Sequence, residues 1–236
     1  MKDTGLRFKE TPERGLCLTC LRPPLTCYCE KIRRFDPKIE FVILIHGREA
    51  QKRIATGRLS HLTLEGSRLL QGYDYTSDAR VNALLADETR HAVVLYPGEE
   101  SFNLSGATAA ERAALVPPGK RLTIFVIDGT WITARKTMQR SRNLMGLPRV
   151  CFDPARPSRF RVRKQPQENF FSTLEAIHET IELLGAAAGY DVGSRKHDAL
   201  LEVFDHMVEQ QLDLSAQPKR YCLWVPPKKA PPARRP

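Results

Sequence analysis

The sequence predicts an α/β domain with a mainly parallel β-sheet and helices on both of its faces. Short apolar runs rich in β-branched residues recur along the chain, and segments with helical spacing lie between them. Strands that alternate with helices favour a parallel sheet, because each helix carries the chain back to the start of the next strand. The chain has 236 residues, of which 42% are hydrophobic, and this is enough to bury a sizeable core.

Four segments are strand candidates. EFVILIH is a short apolar run, HAVVLYPG ends at Pro-Gly, and RLTIFVIDGTW gives the strongest signal of the chain. A brief fourth candidate contains Val150. In order, the four segments span residues 40–46, 91–98, 121–131 and 149–152.

Helices are predicted between and after these strands. Thr108 and Glu111 have capping-box spacing before a helix that stops at Pro117, and Ser172 and Glu175 have the same spacing. The helix that begins at this second box should run to Gly185, because glycine is common at helix C-termini. Helical patterns also cover residues 48–64, 130–141 and 196–212.

The charge of the chain favours a polyanionic partner. Lys and Arg number 37 against 27 Asp and Glu, which gives a formal net charge of +10. Binding to nucleic acid is consistent with this excess because it releases counterions, although a soluble basic protein without such a partner has the same composition. Residues 156–164 combine basic side chains with Phe160, as suits RNA phosphates and unstacked bases, and the alternative is a solvated basic loop.

No segment reaches the roughly eighteen apolar residues that a membrane span needs. The first ten residues are charged and lack the apolar stretch of a signal peptide. We therefore expect a cytoplasmic protein with no membrane partner. The oligomeric state is left open by the sequence.

Four of the six cysteines fall within thirteen residues, with the pattern Cys17-x2-Cys20-x6-Cys27-x-Cys29. Four thiolates match a closed tetrahedral zinc site, which leaves no open position for a substrate, so the predicted role is structural. The alternative is four free thiols in a loop. We expect residues 1–36 to form this zinc module, 37–225 the catalytic domain and 226–236 a basic disordered tail. The module could also present Arg22, Lys31, Arg33 and Arg34 to RNA.

The loops after the strands are the candidate ligand site, because ligands of parallel α/β sheets bind outside the carboxyl ends of the strands. These ends contain His46, Tyr96-Pro97-Gly98 and Asp128-Gly129-Thr130-Trp131. The last could hold an adenosine or a base, or Asp128 could simply cap the next helix while Trp131 packs in the core. No G-x-G-x-x-G or G-x-x-x-x-G-K-[ST] motif is present, which disfavours NAD and ATP. Isolated histidines such as His61 and His178 are more often surface or core residues than catalytic ones.

The strand-D-G-T-W-helix pattern VIDGTWITARKTM resembles the signature of the DTW-domain family of tRNA-uridine aminocarboxypropyltransferases, which are related to the SPOUT class of RNA-modifying enzymes. The cysteine motif resembles the N-terminal zinc motif of that family. Further blocks occur in the family order: LIHGREAQKRIATGRL, VVLYPG, FRVRKQP and FSTLEA. The resemblance covers residues 17 to about 180.

The resemblance implies a SPOUT-like fold with a C-terminal trefoil knot, a feature nearly absent from other proteins. It implies S-adenosylmethionine as co-substrate, tRNA as partner and a structural zinc ion. The implied cofactor-binding residues are Leu95, Tyr96, Pro97, Gly98, Asp128, Gly129, Thr130, Trp131, Ser172, Thr173 and Glu175. Those expected to hold tRNA phosphates or the cofactor carboxylate are Arg48, Arg53, Arg135, Arg161, Arg163 and Lys164.

The implied reaction transfers the 3-amino-3-carboxypropyl group to N3 of a uridine and releases methylthioadenosine. Asp128 is the candidate general base for N3, with a structural or cofactor-orienting role as the alternative. Two other functions are compatible with the sequence. One is a SPOUT-type RNA methyltransferase, and the other is a non-enzymatic zinc-containing RNA-binding protein.

Overall fold

The structure, a computed structural model, describes residues 15–162 and 170–216. Within these ranges six strands form one sheet in the order β2-β1-β5-β3-β6-β4, and every neighbouring pair is parallel. The strands are β1 Glu40–His46, β2 Arg68–Gly72, β3 Arg90–Leu95, β4 Phe102–Asn103, β5 Arg121–Asp128 and β6 Arg149–Cys151. The predicted parallel α/β architecture is confirmed.

Eight α-helices connect and follow the strands in the described part of the chain. They are α1 Gly47–Ala50, α2 Thr56–Thr63, α3 Ala79–Leu85, α4 Ala109–Ala114, α5 Trp131–Arg140, α6 Arg142–Met145, α7 Thr173–Leu184 and α8 Ala199–Ala216. None of the helices in the described ranges has both the length and the apolar character that crossing a membrane requires.

The central strands are buried on both faces. Successive side chains of a strand point to opposite faces, so Phe41 and Ile43 of β1 join one hydrophobic cluster while Val42 and Leu44 join the other. The first cluster includes residues of α2, α7 and α8, and the second includes residues of α3, α5 and α6. Helices therefore cover both faces, as the sequence predicts. The continuous apolar runs of β1 and β5 follow from this two-sided burial.

The prediction of one helix over residues 48–64 is wrong, because the chain breaks there into α1 and α2. The guanidinium of Arg58, a residue of α2, donates to the carbonyl oxygens of Ala50 and Lys52. These bonds satisfy carbonyls at the end of α1 and fix the turn between the two helices. The helical spacing of the apolar residues in this stretch does not reveal the break.

Short elements near the edges of the sheet were not predicted. β2 and β4 occupy the two edges of the sheet, and β4 has only two residues. The sequence RLLQG of β2 has one buried side chain, Leu70, and this is too little to produce a strand pattern. Asp78 is the N-cap of α3, and its carboxylate accepts from the backbone N–H groups of Arg80 and Val81.

The cysteine segment packs against the rest of the molecule. Cys17, Cys20, Tyr28 and Cys29 are buried and belong to the same hydrophobic cluster as β1, β5 and α8. Phe35 continues this contact through a parallel bridge to Leu64, just after α2. The predicted boundary at residue 36 stays a prediction, while the described residues on its two sides share one core.

Candidate active site

A cavity of about 590 Å³ lies at the carboxyl ends of β3, β5 and β6. This is where the sequence predicts the ligand site. Tyr96 and Pro97 follow β3, Gly129 and Thr130 follow β5, and Phe152 follows β6. Because all six strands are parallel, their carboxyl ends lie on the same side of the sheet. The volume lies within the range of pockets that hold small molecules and cofactors.

Aromatic rings form much of the cavity wall. The rings of Trp131 and Phe170 lie 4.7 Å apart between centroids, and those of Phe152 and Phe171 lie 5.8 Å apart. Trp131 is 40% exposed, so it stands at the boundary between the cavity and solvent. Flat, apolar walls of this kind suit a purine ring or another planar group.

Asp128 lies directly behind the cavity wall at the end of β5, with 3% of its surface exposed. Its Oδ1 atom accepts a hydrogen bond of 2.5 Å from the hydroxyl of Thr173 and a longer one of 3.5 Å from that of Thr56. Both threonines line the cavity. The carboxylate therefore ties the first residues of α2 and α7 to the end of β5.

Two glycines permit this close packing. A Cβ on Gly57 would lie 2.6 Å from Oδ2 of Asp128, and a Cβ on Gly129 would lie 2.5 Å from Oγ1 of Thr133. Both distances are shorter than real Cβ contacts, so only glycine fits without displacement of these neighbours. The backbone of α2 can thus approach the Asp128 carboxylate.

Three helices begin at the cavity. Thr56 is the first residue of α2, Thr130 is the N-cap of α5, and Ser172 is the N-cap of α7. The hydroxyl of Thr130 accepts from the backbone N–H of Thr133, which caps α5. The positive ends of three helix dipoles therefore face one region, and this favours a negatively charged ligand group there.

Glu175 organises the start of α7 from inside the protein. Its fully buried carboxylate accepts from the backbone N–H and the hydroxyl of Ser172, at 2.9 and 2.8 Å. It also accepts from the hydroxyl of Ser158 and the backbone N–H of Arg159, both at 2.7 Å. The predicted capping box is present, and it additionally fixes the loop that carries Phe160.

The predicted cofactor-binding residues fall into two groups. Eight of them line the cavity: Leu95, Tyr96, Pro97, Gly129, Thr130, Trp131, Ser172 and Thr173. The other three, Gly98, Asp128 and Glu175, lie outside the lining, and Asp128 and Glu175 act through neighbours that do line it. Sequence reasoning missed several lining residues, chiefly Thr56, Cys151, Phe152, Phe170 and Phe171. The adjacent aromatic residues Phe170 and Phe171, just before the second capping box, are the sequence feature from which an aromatic wall could have been predicted.

The predicted RNA-binding residues are mostly at the surface. Arg48, Arg53, Arg135 and Arg161 have exposed side chains, whereas Arg163 and Lys164 lie outside the described residues. The predicted exposure of Arg22 is wrong, because its side chain is 1% exposed. The guanidinium lies 5.3 Å from the ring centroid of Tyr28, and burial lowers the pKa of Arg22. Lys31, Arg33 and Arg34 are exposed as expected.

The four clustered cysteines converge in space. Their sulfur atoms all lie within 4.8 Å of one another, with Cys17 Sγ 3.7 Å from Cys29 Sγ and Cys20 Sγ 3.5 Å from Cys27 Sγ. None of these four cysteines forms a disulfide. The two sulfur–sulfur distances are close to the spacing of about 3.8 Å between ligands of a tetrahedral zinc site. The Cys29 thiol lowers the pKa of Cys20 to about 5, while burial raises the pKa of Cys27 to about 12. The geometry is compatible with a zinc site of four cysteine ligands.

The fold and the site together define a class of protein, a parallel α/β domain with an aromatic ligand cavity at the carboxyl edge and a four-cysteine cluster in its main core. Comparison with known families gives a match to the DTW domain over residues 14–212, so the chain belongs to the DTW domain family. No solved structure matches the chain.

Three curated relatives of the chain share one name, tRNA-uridine aminocarboxypropyltransferase 2. The chain is 27% identical to the Mus musculus protein over 185 residues, which cover 76% of this chain and 60% of that protein. It is 25% identical to the Drosophila melanogaster protein over 187 residues, covering 76% and 70%. For the Macaca fascicularis protein the identity is 26% over 191 residues, covering 77% and 62%. The chain thus spans about 60% of the length of the mouse relative.

Proposed function

We propose that this protein transfers the 3-amino-3-carboxypropyl group of S-adenosylmethionine to N3 of a uridine in tRNA. The reaction forms a bond between N3 and the Cγ carbon of the methionyl arm. It breaks the bond between Cγ and sulfur, whose electron pair stays on sulfur, and methylthioadenosine leaves. The N3 proton passes to a base.

The observation that carries the proposal is the position of the D-G-T-W turn. This turn, the loop after β3 and the start of α7 enclose one cavity of about 590 Å³ with aromatic walls. The curated relatives named as aminocarboxypropyltransferases align with most of this chain and support the same chemistry.

Several features of the cavity support S-adenosylmethionine as its ligand. Rings such as Trp131 and Phe170 offer faces for the adenine and for the sulfonium cation, which is attracted to aromatic faces. The helix N-termini at Thr130 and Ser172 suit the carboxylate of the methionyl arm. Among the described residues, those that line the cavity have no charged side chain, and the buried carboxylates of Asp128 and Glu175 behind them favour a sulfonium cation in the cavity.

Asp128 has a positioning role in this proposal. Its Oδ1 atom accepts from Thr173 and Thr56, and it is covered by the residues that line the cavity. A general base must come within hydrogen-bond reach of N3, directly or through one water molecule. Holding the two threonines and supplying negative potential requires no such contact, and this favours positioning over proton transfer.

The exposed edge of the cavity is where the tRNA would bind. Trp131 and its neighbour Ile132 are 40% and 65% exposed, and Arg135 lies one turn further along α5. An exposed aromatic ring can stack on an unpaired uridine, while arginine side chains bind phosphates. Arg48, Arg53 and Arg161 are further candidates for phosphate contacts.

Zinc, where bound by Cys17, Cys20, Cys27 and Cys29, would have a structural role. Four thiolates complete a tetrahedral site, and the cysteines lie in the main hydrophobic cluster, away from the cavity lining. The SPOUT-like trefoil knot and the three-part domain division are retained as predictions. Residues 163–169, which precede α7, lie outside the described chain.

The experiment uses S-adenosylmethionine labelled either at the carboxyl carbon or at the methyl group, incubated with the purified protein and tRNA that lacks the modification. We expect only the carboxyl label to enter tRNA. Entry of the methyl label alone would indicate a methyltransferase. Tight tRNA binding with neither label transferred would indicate an RNA-binding protein, and both results contradict the proposal.

An Asp128→Asn variant in the same assay tests the role of the carboxylate. We expect single-turnover transfer to fall on the order of 10²-fold, because loss of the carboxylate lets Thr56 and Thr173 shift, and a small misplacement of the bound donor lowers the rate strongly. For a positioning role the residual rate keeps the pH profile of the wild type, whereas loss of a general base changes that profile. Unchanged transfer would exclude Asp128 from both roles.

A further inference from the structure

A second group of metal-ligating side chains lies outside the candidate active site. His178 and Glu182 stand one turn apart on α7, and His197 and Asp198 belong to the short 3₁₀ turn that precedes α8. One ligand atom from each of the four residues lies within 4.8 Å of all the others. The group contains two imidazoles and two carboxylates, and both histidines are buried.

We propose that His178, Glu182, His197 and Asp198 bind one divalent transition-metal ion of the zinc class, which clamps α7 to the start of α8. Mixed nitrogen and oxygen donors favour such an ion over calcium or magnesium, which take oxygen ligands. This inference concerns the fold and is independent of the proposed transfer reaction.

The distances between ligand atoms suit a four-coordinate site. His178 Nε2 lies 2.9 Å from Asp198 Oδ1, and His197 Nε2 lies 3.0 Å from Glu182 Oε1 and 3.9 Å from Asp198 Oδ1. Bond lengths of about 2.0–2.2 Å in a tetrahedral zinc site place neighbouring ligand atoms about 3.3 Å apart. The observed values bracket this spacing, so small side-chain movements are sufficient.

The orientation of His197 supports a metal ligand more than an ordinary ion pair. Its Nδ1 lies 3.3 Å from the hydroxyl of Tyr190, and this contact leaves Nε2 to face the two carboxylates. Nε2 is buried and makes no hydrogen bond with acceptable geometry in the described structure, although Glu182 Oε1 is only 3.0 Å away. Metal-bound imidazoles commonly have such a partner on the other nitrogen.

Arg195 competes with the ion for the same oxygens. Its guanidinium contacts Glu182 Oε1 at 2.5 Å and Asp198 Oδ1 at 2.7 Å. The Arg195 side chain is 51% exposed, so it can leave the carboxylates and remain solvated. A cavity of about 620 Å³, lined in part by His178, Glu182 and Asp198, connects the group to the surface and gives an ion a route of entry.

The experiment measures zinc per chain in protein saturated with zinc and then dialysed, together with a titration of the metal-free protein by Co²⁺. We expect about two equivalents of zinc, one at the cysteines and one here. His197→Gln should lower this to about one and leave the cobalt–thiolate absorption band unchanged, whereas His206→Gln, on α8 outside the group, should keep two. Glu182→Gln gives the same test should His197→Gln be insoluble.

Three results would overturn the inference. The first is a zinc content of one equivalent in the wild type, and the second is a content that neither His197→Gln nor Glu182→Gln lowers. The third is a cobalt titration in which the thiolate band accounts for all the cobalt bound. Because the thiolate band reports the cysteines alone, a loss at the histidine group is distinguished from general unfolding.

Discussion

At the scale of single residues, the contact between Gly57 and Asp128 determines how α2 meets the sheet. The carboxylate lies so close that a Cβ at position 57 would sit 2.6 Å from one of its oxygens. Glycine within a helix usually lowers stability by about 1 kcal/mol relative to alanine. At position 57 glycine is nevertheless needed, because a side chain there would displace the Asp128 carboxylate. That carboxylate accepts hydrogen bonds from Thr56 and Thr173.

Gly57→Ala should therefore destabilise the protein, against the usual helix preference. We expect the free energy of unfolding to fall by about 1–3 kcal/mol, because either α2 or Asp128 must move. Under the proposed function, the affinity for S-adenosylmethionine should fall as well, since Thr56 lines the cavity. Urea unfolding and titration calorimetry measure the two effects.

Gly106→Ala is the matched control, because a Cβ at position 106 would meet no atom within 4 Å. We expect it to leave both quantities unchanged. A Gly57→Ala protein as stable as this control would show that the close packing at Asp128 has no energetic consequence.

At the scale of secondary-structure elements, two capping boxes with the same spacing have different surroundings. Thr108 and Glu111 cap α4 at the surface, and among the described residues the carboxylate bonds its own cap residue alone. Glu175 of α7 is fully buried and also holds Ser158 and Arg159. The same motif therefore caps a helix in one place and joins two segments of the candidate active site in the other.

Glu175→Gln should cost much more stability than Glu111→Gln. The amide has one oxygen in place of two, so some of the donors around position 175 lose their acceptor inside the protein. We expect a loss of about 2 kcal/mol at position 175, the range of hydrogen bonds to a charged group, and a smaller change at position 111. Thermal unfolding of both variants checks the difference, and equal losses would contradict it.

At the scale of the whole molecule, charged side chains at the amino ends of the strands, on the side opposite the cavity, hold several strands together. Glu40, which is 2% exposed, begins β1 and pairs with Arg68 of β2, Arg90 of β3 and Arg121 of β5. Burial raises the pKa of Glu40, but the hydrogen bonds from Arg68 and Arg90 outweigh it and lower the value. The candidate active site lies at the carboxyl ends of the strands, and this charge network lies at their amino ends.

Glu40→Gln should reduce the free energy of unfolding by about 3 kcal/mol at neutral pH, because it leaves the largely buried Arg90 without its main partner. The lowered pKa means that the carboxylate stabilises the fold above the unfolded-state value of about 4.3 and loses this effect as the pH falls through the lower folded-state value. The difference between wild type and variant should therefore narrow below about pH 4.

Denaturant unfolding across this pH range measures the effect. Glu202→Gln removes an exposed ion pair with Arg33 and serves as the control, for which we expect no measurable change. A difference between wild type and Glu40→Gln that stays constant down to about pH 2 would contradict the assignment of the network.

The sequence by itself determined the parallel α/β class, the central strands, the helices with capping boxes and the clustered cysteines. These features depend on local patterns: apolar runs, cap residues and the spacing of ligand types. The same patterns placed the candidate site at the ends of β3 and β5. The sequence also contained the D-G-T-W motif on which the family resemblance depends.

Tertiary structure decided what local patterns do not encode. The burial of Arg22 and the aromatic wall of the cavity depend on how segments far apart in the chain pack together. The break between α1 and α2 depends on side-chain bonds from Arg58 to Ala50 and Lys52, which the spacing of apolar residues does not reveal. Asp128 meets Thr173 across 45 positions, and His178 meets Asp198 across 20. Side chains at such separations come together only once the sheet and its helices have packed, and the residue types alone do not specify these partners.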